Sequence, residues 1–470
     1  MGSKGAEVLL KIYKKIWKEE QIPKDWQRAL IVPIYKKGDK KECSNYRGIT
    51  LLSTAMKMFE QIMEKRIRAI VENGLEDSQS GFRPGRSTQD HIFTIKQITQ
   101  KSIQQKKKVF LAFVDMEKAF DRVPRNILWE ILKERGVRGK TLRIIQNIYK
   151  DNVNAIIYDN MISETFSTQE GLRQGGSLSP MLFVILMDEV IKKCTSRSKK
   201  LHVGHKNLQR VEISEGVFAD DVVIMAKNEK DLQQNINTWN TVLEEYGMKI
   251  NKDKTKVMMI GEEQEELNID IEKTKIEQVK TFQYLGVTID EKGKQDVEIN
   301  SRIEKTLKMY YSMNKKFIDK KEISRETKMK VFKTIYRPIL TFGCESWILT
   351  ERQKSQIQAM EMKYLRRVRG VTKMDKKRNI DIRKDLKIQS TLEFIEARQI
   401  SWWGHLQRME ETRPVRRVWE AKTQKNKKRG RPRQTWDKVI AGILERRGRT
   451  WTDAKLLARN RKQWKEFIQG

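Results

Sequence analysis

The chain has 470 residues, 38% of them hydrophobic, which is enough for two or three packed lobes and too many for one compact core. Its 97 Lys and Arg residues outnumber 62 Asp and Glu residues, and the formal net charge of +35 indicates a polyanionic partner, nucleic acid before an anionic membrane surface. No apolar run approaches the roughly 20 residues of a spanning helix and no signal peptide is recognisable, so we expect neither membrane insertion nor secretion.

The cysteine and histidine content argues against a zinc module and against triad hydrolases. Cys43, Cys194 and Cys344 lie far apart without a CxxC pair, which predicts neither a zinc ribbon nor a disulfide framework. Such cysteine use fits a reducing, intracellular compartment. The four histidines are too few and too scattered to indicate a metal cluster or a Ser-His-Asp arrangement.

The first hundred residues alternate helical and strand patterns. Apolar residues at helical spacing in residues 8–17 predict an amphipathic helix, and residues 29–34 predict a strand that Pro33 either ends or places at a sheet edge. A turn-rich basic loop, residues 81–88 (GFRPGRST), precedes a predicted helix through residues 92–98.

The middle of the chain places carboxylates beside predicted strands. The short apolar run 109–114 ends at Asp115, and a predicted helix over residues 124–135 follows and is closed by Gly136. Asp220 and Asp221 lie between two β-rich runs, as at the tip of a hairpin. Beyond about residue 295 the pattern becomes helical and strongly basic up to the C-terminus.

These carboxylates have the chemistry that phosphoryl transfer requires. Two divalent ions about 4 Å apart can activate an attacking hydroxyl and neutralise a leaving pyrophosphate, and hard ions such as Mg²⁺ prefer carboxylate oxygens. Asp115 and Asp220 are 105 positions apart (220 − 115), so the fold must bring them together. Taken alone, an Asp pair in a turn indicates ordinary turn chemistry, because Asp tolerates turn conformations.

An ordered set of motifs removes that ambiguity, because the chain resembles the reverse transcriptases of non-LTR (LINE-type) retrotransposons. Residues 113–121 (FVDMEKAFD), 173–180 (RQGGSLSP) and 218–221 (FADD) look like motifs A, B and C of that family. Upstream, residues 45–52 (NYRGITLL) and the 81–88 loop look like its fingers motifs. Downstream, residues 247–256 and 284–286 (YLG) look like its motifs D and E.

The resemblance implies an α+β right-hand polymerase with fingers, a palm built on an antiparallel sheet and a helical thumb, followed by a helical basic C-terminal region. We predict an N-terminal helical extension (1–27), fingers and palm (28–290), a thumb (291–390) and a nucleic-acid-binding region (391–470). The implied activity is RNA-directed DNA synthesis with two Mg²⁺ ions, or Mn²⁺. The implied partners are an RNA template, a DNA primer or target and deoxynucleoside triphosphates; the oligomeric state stays open.

The family motifs assign catalytic roles residue by residue. Asp115 and Asp220 would hold both ions, with Asp221 completing the carboxylate set. Phe120 matches the aromatic ring beneath the incoming sugar, where it would clash with a 2′ hydroxyl; a plain core aromatic is the alternative. Gln174 would face the nascent base pair from a turn before a helix that Ser179 caps and Pro180 starts, or would simply mark the helix entry.

Basic residues in other motifs are candidates for binding nucleotide and nucleic acid. Arg83 and Arg86 would hold the triphosphate through their guanidinium forks, unless they are solvated surface residues. Arg47 is a related candidate that would lie against either the nucleotide or the template strand. In motif D, Lys254 would protonate the departing pyrophosphate, with lysines 249, 252 and 256 as alternatives.

The C-terminal region combines tryptophans with a basic run. Residues 402–405 (WWGH) precede residues 427–433 (KKRGRPR), in which Arg429, Arg431 and Arg433 resemble a minor-groove AT-hook. The same run is equally typical of a nuclear localisation signal or of a segment that binds phosphates without sequence specificity. We therefore expect a nuclear protein with a cytoplasmic ribonucleoprotein phase. Residues 342–347 (FGCESW) resemble a signature that follows the polymerase in LINE-type elements, and their role does not follow from the sequence.

Two departures from the family leave alternatives open. The family's C-terminal Cys/His knuckle is not expected in a tail without cysteine, and the first fingers motif begins too near Met1 to leave room for the upstream endonuclease. Either the sequence is a fragment, or nicking comes from elsewhere. The alternative functions are a decayed copy that binds RNA without synthesis, and a group II intron-type maturase or telomerase-like enzyme.

Overall fold

The computed structural model describes residues 2–36, 38–204, 210–423 and 434–469. The helices are, in chain order, α1 (Ser3–Glu19), α2 (Lys24–Gln27), α3 (Thr54–Val71), α4 (Thr88–Gln105), α5 (Arg125–Glu134), α6 (Gly139–Tyr149), α7 (Ser179–Arg197), α8 (Glu229–Glu245), α9 (Asp296–Met313), α10 (Arg325–Val331), α11 (Arg337–Thr341), α12 (Glu351–Arg369), α13 (Asn379–Asp385), α14 (Thr391–Arg408), α15 (Pro414–Glu420), α16 (Trp436–Arg446), α17 (Trp451–Arg459) and α18 (Arg461–Gln469).

All strands of the described chain lie between residues 28 and 290, and they include those predicted at residues 29–34, at 109–114 and on both sides of the Asp220–Asp221 pair. They are β1 (Arg28–Tyr35), β2 (Tyr46–Leu51), β3 (Val109–Val114), β4 (Val153–Tyr158), β5 (Met161–Ile162), β6 (Phe166–Ser167), β7 (Leu201–Val203), β8 (Val211–Ile213), β9 (Glu215–Phe218), β10 (Asp221–Ala226), β11 (Lys256–Ile260), β12 (Asp270–Ile271), β13 (Thr274–Lys275), β14 (Thr281–Tyr284) and β15 (Val287–Asp290).

The central sheet, here called the palm sheet, has the strand order β11-β3-β10-β9 with antiparallel pairing throughout. Every residue of β3 is buried, because its two faces enter different cores. Phe110, Ala112 and Val114 pack with α7 and α8, whereas alternate residues such as Leu111 and Phe113 pack with α4 on the other side. This two-sided burial explains the unbroken apolar run in the sequence. The predicted α+β class with an antiparallel palm sheet is confirmed.

A second sheet has the order β2-β1-β4-β5, with β6 also paired to β4. Strand β1 runs antiparallel to β2 and parallel to β4. Pro33 lies within β1 and does not end it, so that alternative was wrong. Pairing with β4 covers only Arg28 to Ile31, which leaves Pro33 beside a free edge where its missing N–H breaks no ladder bond.

The helices from α9 to α13 enclose a separate hydrophobic core that includes Phe332, Tyr336 and Trp347. Met360, Met362, Tyr364 and Leu365 are buried in it. This part corresponds to the predicted thumb, although its exact limits remain a prediction. Within the described part of the chain, no helix is both long enough and apolar enough to cross a membrane.

The helices from α14 to α18 form a packed unit rather than a set of separate basic segments. Its core contains Trp402, Trp403, Trp436 and Trp464, together with Phe93 from α4. The tryptophans near the predicted basic tail are therefore core residues of a folded lobe. Arg429, Arg431 and Arg433 lie outside the described residues.

Buried charges fasten this C-terminal lobe to α4. The Lys101 side chain donates three hydrogen bonds of 2.6 Å to the main-chain carbonyls of residues 418, 419 and 421. Arg413 forms a 2.6 Å ion pair with Asp90 and also donates to the carbonyl of Gly85, at 3.0 Å. Asp90 belongs to the capping box of α4 with Ser87, so the pair holds the start of that helix.

The 342–347 signature occupies the junction between the thumb helices and the C-terminal lobe. Gly343 has a φ of 76°, and Trp347 is fully buried. The indole of Trp436 donates to the carbonyl of Glu345 at 2.8 Å, and Gln399 donates to the carbonyl of Trp347 at 2.8 Å. The segment is thus a structural junction, a role that its sequence did not reveal.

Breaking the Arg413–Asp90 pair should destabilise the C-terminal lobe. Arg413→Ala leaves Asp90 as an uncompensated buried charge, and we expect a loss of about 3–5 kcal/mol in unfolding free energy. Urea unfolding followed by tryptophan fluorescence measures the loss, because the adjoining core is rich in tryptophan. Arg446→Ala is the matched control, because its ion pair with Glu396 is exposed and should contribute at most about 1 kcal/mol. Equal losses in both variants would contradict the assignment.

Candidate active site

The palm sheet brings the carboxylates of motifs A and C together. Antiparallel pairing of β10 with β3 places Val222 opposite Val114, so Asp221 and Asp115 lie at the same end of neighbouring strands. Asp220 occupies the two-residue turn between β9 and β10. The register therefore joins positions that are 105 residues apart in the chain.

Desolvation and neighbouring charges raise the pKa values of Asp220 and Asp221. Desolvation by the surrounding protein, then the charges of Asp220 and Asp115, raise the pKa of Asp221 to about 6. Desolvation also raises the pKa of Asp220, and Asp115 adds to the rise while the cations Arg47 and Lys36 oppose it. A cation bound at this point would relieve the repulsion.

Both the charge and the donor type of these residues fit a divalent ion. No three His, Cys, Asp or Glu side chains in the described ranges already converge as a complete metal cage. The Lys254 ammonium lies 3.3 Å from the Asp115 carboxylate and forms an ion pair with it. Asp115, Asp220 and Asp221 are the residues that would hold divalent ions, with Lys254 giving way at Asp115.

Of the four lysines in motif D, Lys254 is the one whose amine approaches Asp115. The main-chain N–H of Asn251 donates to the main-chain carbonyl of Asp115 at 2.8 Å, and this bond aligns motif D with motif A. Lys252 pairs with Glu272 and Lys256 with Glu277, so their amines are engaged away from the carboxylates. The geometry therefore favours Lys254 among the alternatives left open by the sequence.

A buried glutamine holds the turn that carries Asp220, and sequence reasoning missed it. Gln79 is fully buried, and its side-chain oxygen accepts from the amides of Gly81 and Ala219, at 2.8 and 3.1 Å. Residues 78 and 80 also exchange main-chain hydrogen bonds with Val217 of β9. A Cβ on Gly81 would collide with the Ala219 amide, so the glycine allows this close approach. That glycine was the one available sequence signal.

The structure does not support the triphosphate role predicted for Arg83 and Arg86. Arg83 is buried, pairs with Glu72 at 2.9 Å and donates to the carbonyl of Glu76 at 2.7 Å. Arg86 pairs with Asp77 at 2.5 Å and donates to the carbonyl of the same residue at 3.0 Å. Each guanidinium group binds an acidic residue that lies at most 11 positions earlier in the chain, so both stabilise the conformation of their own loop.

Two other basic residues approach the carboxylates from the second sheet. Lys36 follows β1, and Arg47 lies in β2; both side chains are exposed. Desolvation, then the charges of Arg47 and Lys254, lower the pKa of Lys36, and Asp115 and Asp220 oppose the change. Neither residue forms an ion pair with any residue that the structure describes. Lys36 was not predicted. The charge of Arg47 lowers the pKa of Asp220, so Arg47 lies within electrostatic range of the carboxylates.

Phe120 is half-buried beside this site. Its ring stacks on Phe183 with centroids 4.6 Å apart, and Phe82 meets it edge-on at 6.4 Å. Phe82 is 48% exposed and has a φ of 55°, a conformation in which the loop presents an aromatic ring at the surface. The two rings therefore form an aromatic wall, of which the sequence analysis identified Phe120 alone.

Gln174 links motif B to motif A and to β2. Its side-chain amide donates to Asp121 at 3.1 Å, and its carbonyl accepts from the Thr50 amide at 2.6 Å. The predicted cap by Ser179 was wrong, since Ser179 is already helical and its hydroxyl lies 3.0 Å from that of Tyr149. The buried carboxylate of Glu60 instead accepts from the amides of residues 177 and 178, at 2.6 and 3.4 Å, in the turn that leads into α7.

Comparison with known proteins shows the family to which the chain belongs. A family model described as reverse transcriptase (RNA-dependent DNA polymerase) matches residues 34–289. The probable RNA-directed DNA polymerase from transposon X-element of Drosophila melanogaster is 24% identical over an alignment of 430 residues. The alignment covers 87% of this chain and 45% of that protein. The RNA-directed DNA polymerase from mobile element jockey of the same organism is 21% identical over an alignment of 400 residues. The alignment covers 83% of this chain and 42% of that protein.

The chain thus spans less than half the length of both curated relatives. Among solved structures, the alignment with telomerase from Candida albicans in complex with a fragment of telomeric RNA covers 98% of this chain and 68% of the telomerase chain. That alignment has a TM-score of 0.47 and 12% sequence identity.

Removing one carboxylate should stabilise the metal-free protein. The folded-state pKa of Asp221, about 6, lies above the ordinary value of about 3.9. Its ionisation therefore costs stability as pH rises from about 4 to about 6. After discounting for solvent screening, Asp221→Asn should be more stable than wild type by about 1 kcal/mol at pH 7 and equal to it near pH 4.

Urea unfolding in the presence of a chelator measures this difference. Added Mn²⁺ should then stabilise the wild type more than Asp221→Asn. Asp253→Asn is the control, because it removes an exposed carboxylate next to Lys254. A destabilised Asp221→Asn variant, or equal stabilisation of both proteins by Mn²⁺, would contradict a repulsive, ion-binding site.

Proposed function

Because the chain belongs to the reverse transcriptase family of non-LTR retrotransposons, we propose that it copies RNA into DNA by adding deoxynucleotides to a primer 3′ hydroxyl. The observation that carries this proposal is the opposition of three carboxylates and three cations at one end of the palm sheet. The charges of Asp220 and Asp115 raise the pKa of Asp221, whereas Lys254 pairs with Asp115 and the charges of Arg47 and Lys36 lower the pKa of Asp220. A nucleoside triphosphate with its ions complements such a site.

Asp115 and Asp220, with Asp221 beside them, would hold Mg²⁺ or Mn²⁺. When bound, such ions lower the pKa of the primer hydroxyl and neutralise charge on the pyrophosphate. Each of the residues can supply the carboxylate oxygens that these hard ions prefer. Their mutual repulsion supports this role, because it weakens the empty site relative to the loaded one.

The cations would bind the substrate rather than the ions. Lys36 and Arg47 are exposed and free of ion pairs within the described chain, so their charges are available for the triphosphate oxygens. Lys254 has both the proximity and the protonated amine to donate a proton to the departing pyrophosphate. Release from Asp115 would make that proton available.

The +35 net charge supports binding of an RNA template and a DNA primer or target, and the family resemblance extends the proposal to target-primed synthesis. Such synthesis requires access to chromosomal DNA, so we also propose a nuclear location with a cytoplasmic ribonucleoprotein phase. Gln174 would position the nascent base pair from its bond to Asp121.

Primer extension on an RNA template with purified protein tests the proposal. Asp220→Asn should lower synthesis by at least about 100-fold, because the preorganised charge at the reacting phosphate is lost. Binding of the template RNA should change little, since the basic surface is unaffected. Asp253→Asn, the exposed control, should extend primers at the wild-type rate. Wild-type protein that binds RNA without extending any primer would favour the decayed-copy alternative.

The aromatic wall formed by Phe120 and Phe82 predicts that Phe120 controls selectivity between deoxyribose and ribose. Phe120→Val opens space where the 2′ hydroxyl of a ribonucleotide would lie, so ribonucleotide use should rise by about 10-fold or more relative to deoxynucleotide use. The ratio of the two kcat/KM values measures it. Phe183→Leu is a packing control, because it alters the ring behind Phe120 and leaves Phe120 in place. An unchanged ratio in Phe120→Val would make Phe120 a plain core aromatic.

A further inference from the structure

A second basic groove lies on the thumb, away from the carboxylates. It is bordered by α9, α12 and the turn before α13, and its volume is about 670 Å³. Four cations line it, Lys363, Arg366, Arg367 and Lys373, and its lining residues include no Asp or Glu within the described chain. We call it the outer thumb groove.

This groove and the groove nearer motif E use opposite sides of α9. Met309, with Lys305 and Lys308, lines a groove that also contains Phe342, the ring packed on Gly286 of motif E. Leu307 lines the outer thumb groove. Because an α-helix turns about 100° per residue, Leu307 and Met309 point about 200° apart. One ligand strand lying against the motif E side cannot also fill the outer thumb groove.

Part of the positive charge in the outer thumb groove is not neutralised. Arg367 pairs with Asp319 at 2.5 Å, and Arg366 donates to the neutral side chain of Asn379. Lys363 donates to the phenol oxygen of Tyr311, which keeps its charge uncompensated. Lys373 is exposed and its amine has no partner among the residues the structure describes. The nearby acid, Asp375, accepts from the amide and hydroxyl of Thr372 instead.

An exposed aromatic ring stands at the edge of this charge. Tyr311 is 64% exposed, and the Lys363 ammonium lies 4.5 Å from its ring centroid and 5.0 Å from that of Tyr310. Basic grooves with exposed aromatic rings bind single strands, because an unpaired base can stack on the ring and the phosphates meet the cations. A duplex keeps its bases stacked and offers no such face.

Uncharged polar residues in the same groove favour RNA over DNA. Ser355, Gln358 and Thr372 line it beside the cations and carry donors and acceptors suited to a 2′ hydroxyl. We propose that the outer thumb groove binds single-stranded RNA at a site separate from the template–primer duplex. The binding does not depend on DNA synthesis, so it can be tested in protein that lacks polymerase activity.

Competition binding tests the separation of the two sites. A labelled single-stranded RNA is titrated with full-length protein, by fluorescence anisotropy, in the presence of a saturating chain-terminated RNA–DNA primer-template. The expected result is continued binding of the labelled RNA. Complete displacement by the primer-template would place the single strand in the polymerase cleft and overturn the proposal. The Asp220→Asn variant should bind the labelled RNA as wild type does, whether or not the wild type synthesises DNA.

A combined Tyr311→Ala, Lys363→Ala and Lys373→Ala variant tests the residues. We expect affinity for the labelled RNA to fall by about 10-fold or more, and the slope of log affinity against log salt to flatten by about 1.4, for two lost phosphate contacts. Tyr311→Phe keeps the ring and should keep the affinity. The control, Lys305→Ala, changes a lysine that lies about 200° around α9 from Leu307 and lines the groove nearer motif E, so it should leave RNA binding unchanged.

Two results would overturn the proposal for these residues. One is wild-type affinity in the triple variant, with a thermal denaturation curve showing that the variant is folded. The other is equal affinity for single-stranded DNA of the same sequence, which would remove the assignment to RNA. Crosslinking of a 4-thiouridine RNA to the peptide containing Tyr311 is the positive result expected from direct stacking.

Discussion

Repulsion among Asp115, Asp220 and Asp221 is the constraint on which the rest of this structure depends. The protein must hold three carboxylates close together, and desolvation followed by the charges of Asp220 and Asp115 raises the pKa of Asp221 to about 6. Main-chain ladders can do this because they fix the backbone independently of side-chain charge. β10 is paired on both sides, with β3 and with β9, so the strands cannot separate to relieve the repulsion. The surrounding cations Lys36, Arg47 and Lys254 reduce it without abolishing it.

A continuous set of contacts connects this site to the C-terminal lobe. Arg413 binds Asp90, in the first turn of α4, and the carbonyl of Gly85, in the loop that enters this helix. The same loop begins at Gln79 and Gly81, which contact the amide of Ala219 beside Asp220. The lobe predicted as a basic binding region is therefore also part of the scaffold of the palm. Its tryptophan core packs around Phe93 of α4, so the two parts share one interior.

Residue type alone was a poor guide to which cations face the site. Arg83 and Arg86 have the guanidinium geometry that suits phosphate. In the folded protein, however, Arg83 forms an ion pair with Glu72 and Arg86 forms one with Asp77. Lys36 has no distinguishing neighbours in the sequence, and only the pairing of β1 with β2 brings it beside Arg47. Gln79 was invisible for a similar reason, because its role depends on hydrogen bonds to amides that are not adjacent in the chain.

The sequence by itself determined the strand-carboxylate pattern, the buried character of β3, the helical region after residue 295 and the candidates Asp115, Asp220 and Phe120. Those features follow from local periodicity, turn chemistry and ordered motifs, each of which a short segment expresses without its partners. The tertiary structure decided which charges meet. Ion-pair choice, the hydrogen bonds of Glu60 to the turn before α7 and the side of α9 that each thumb groove occupies depend on how separate segments pack together. A linear pattern does not encode those distances, because they arise only when the sheets and helices pack.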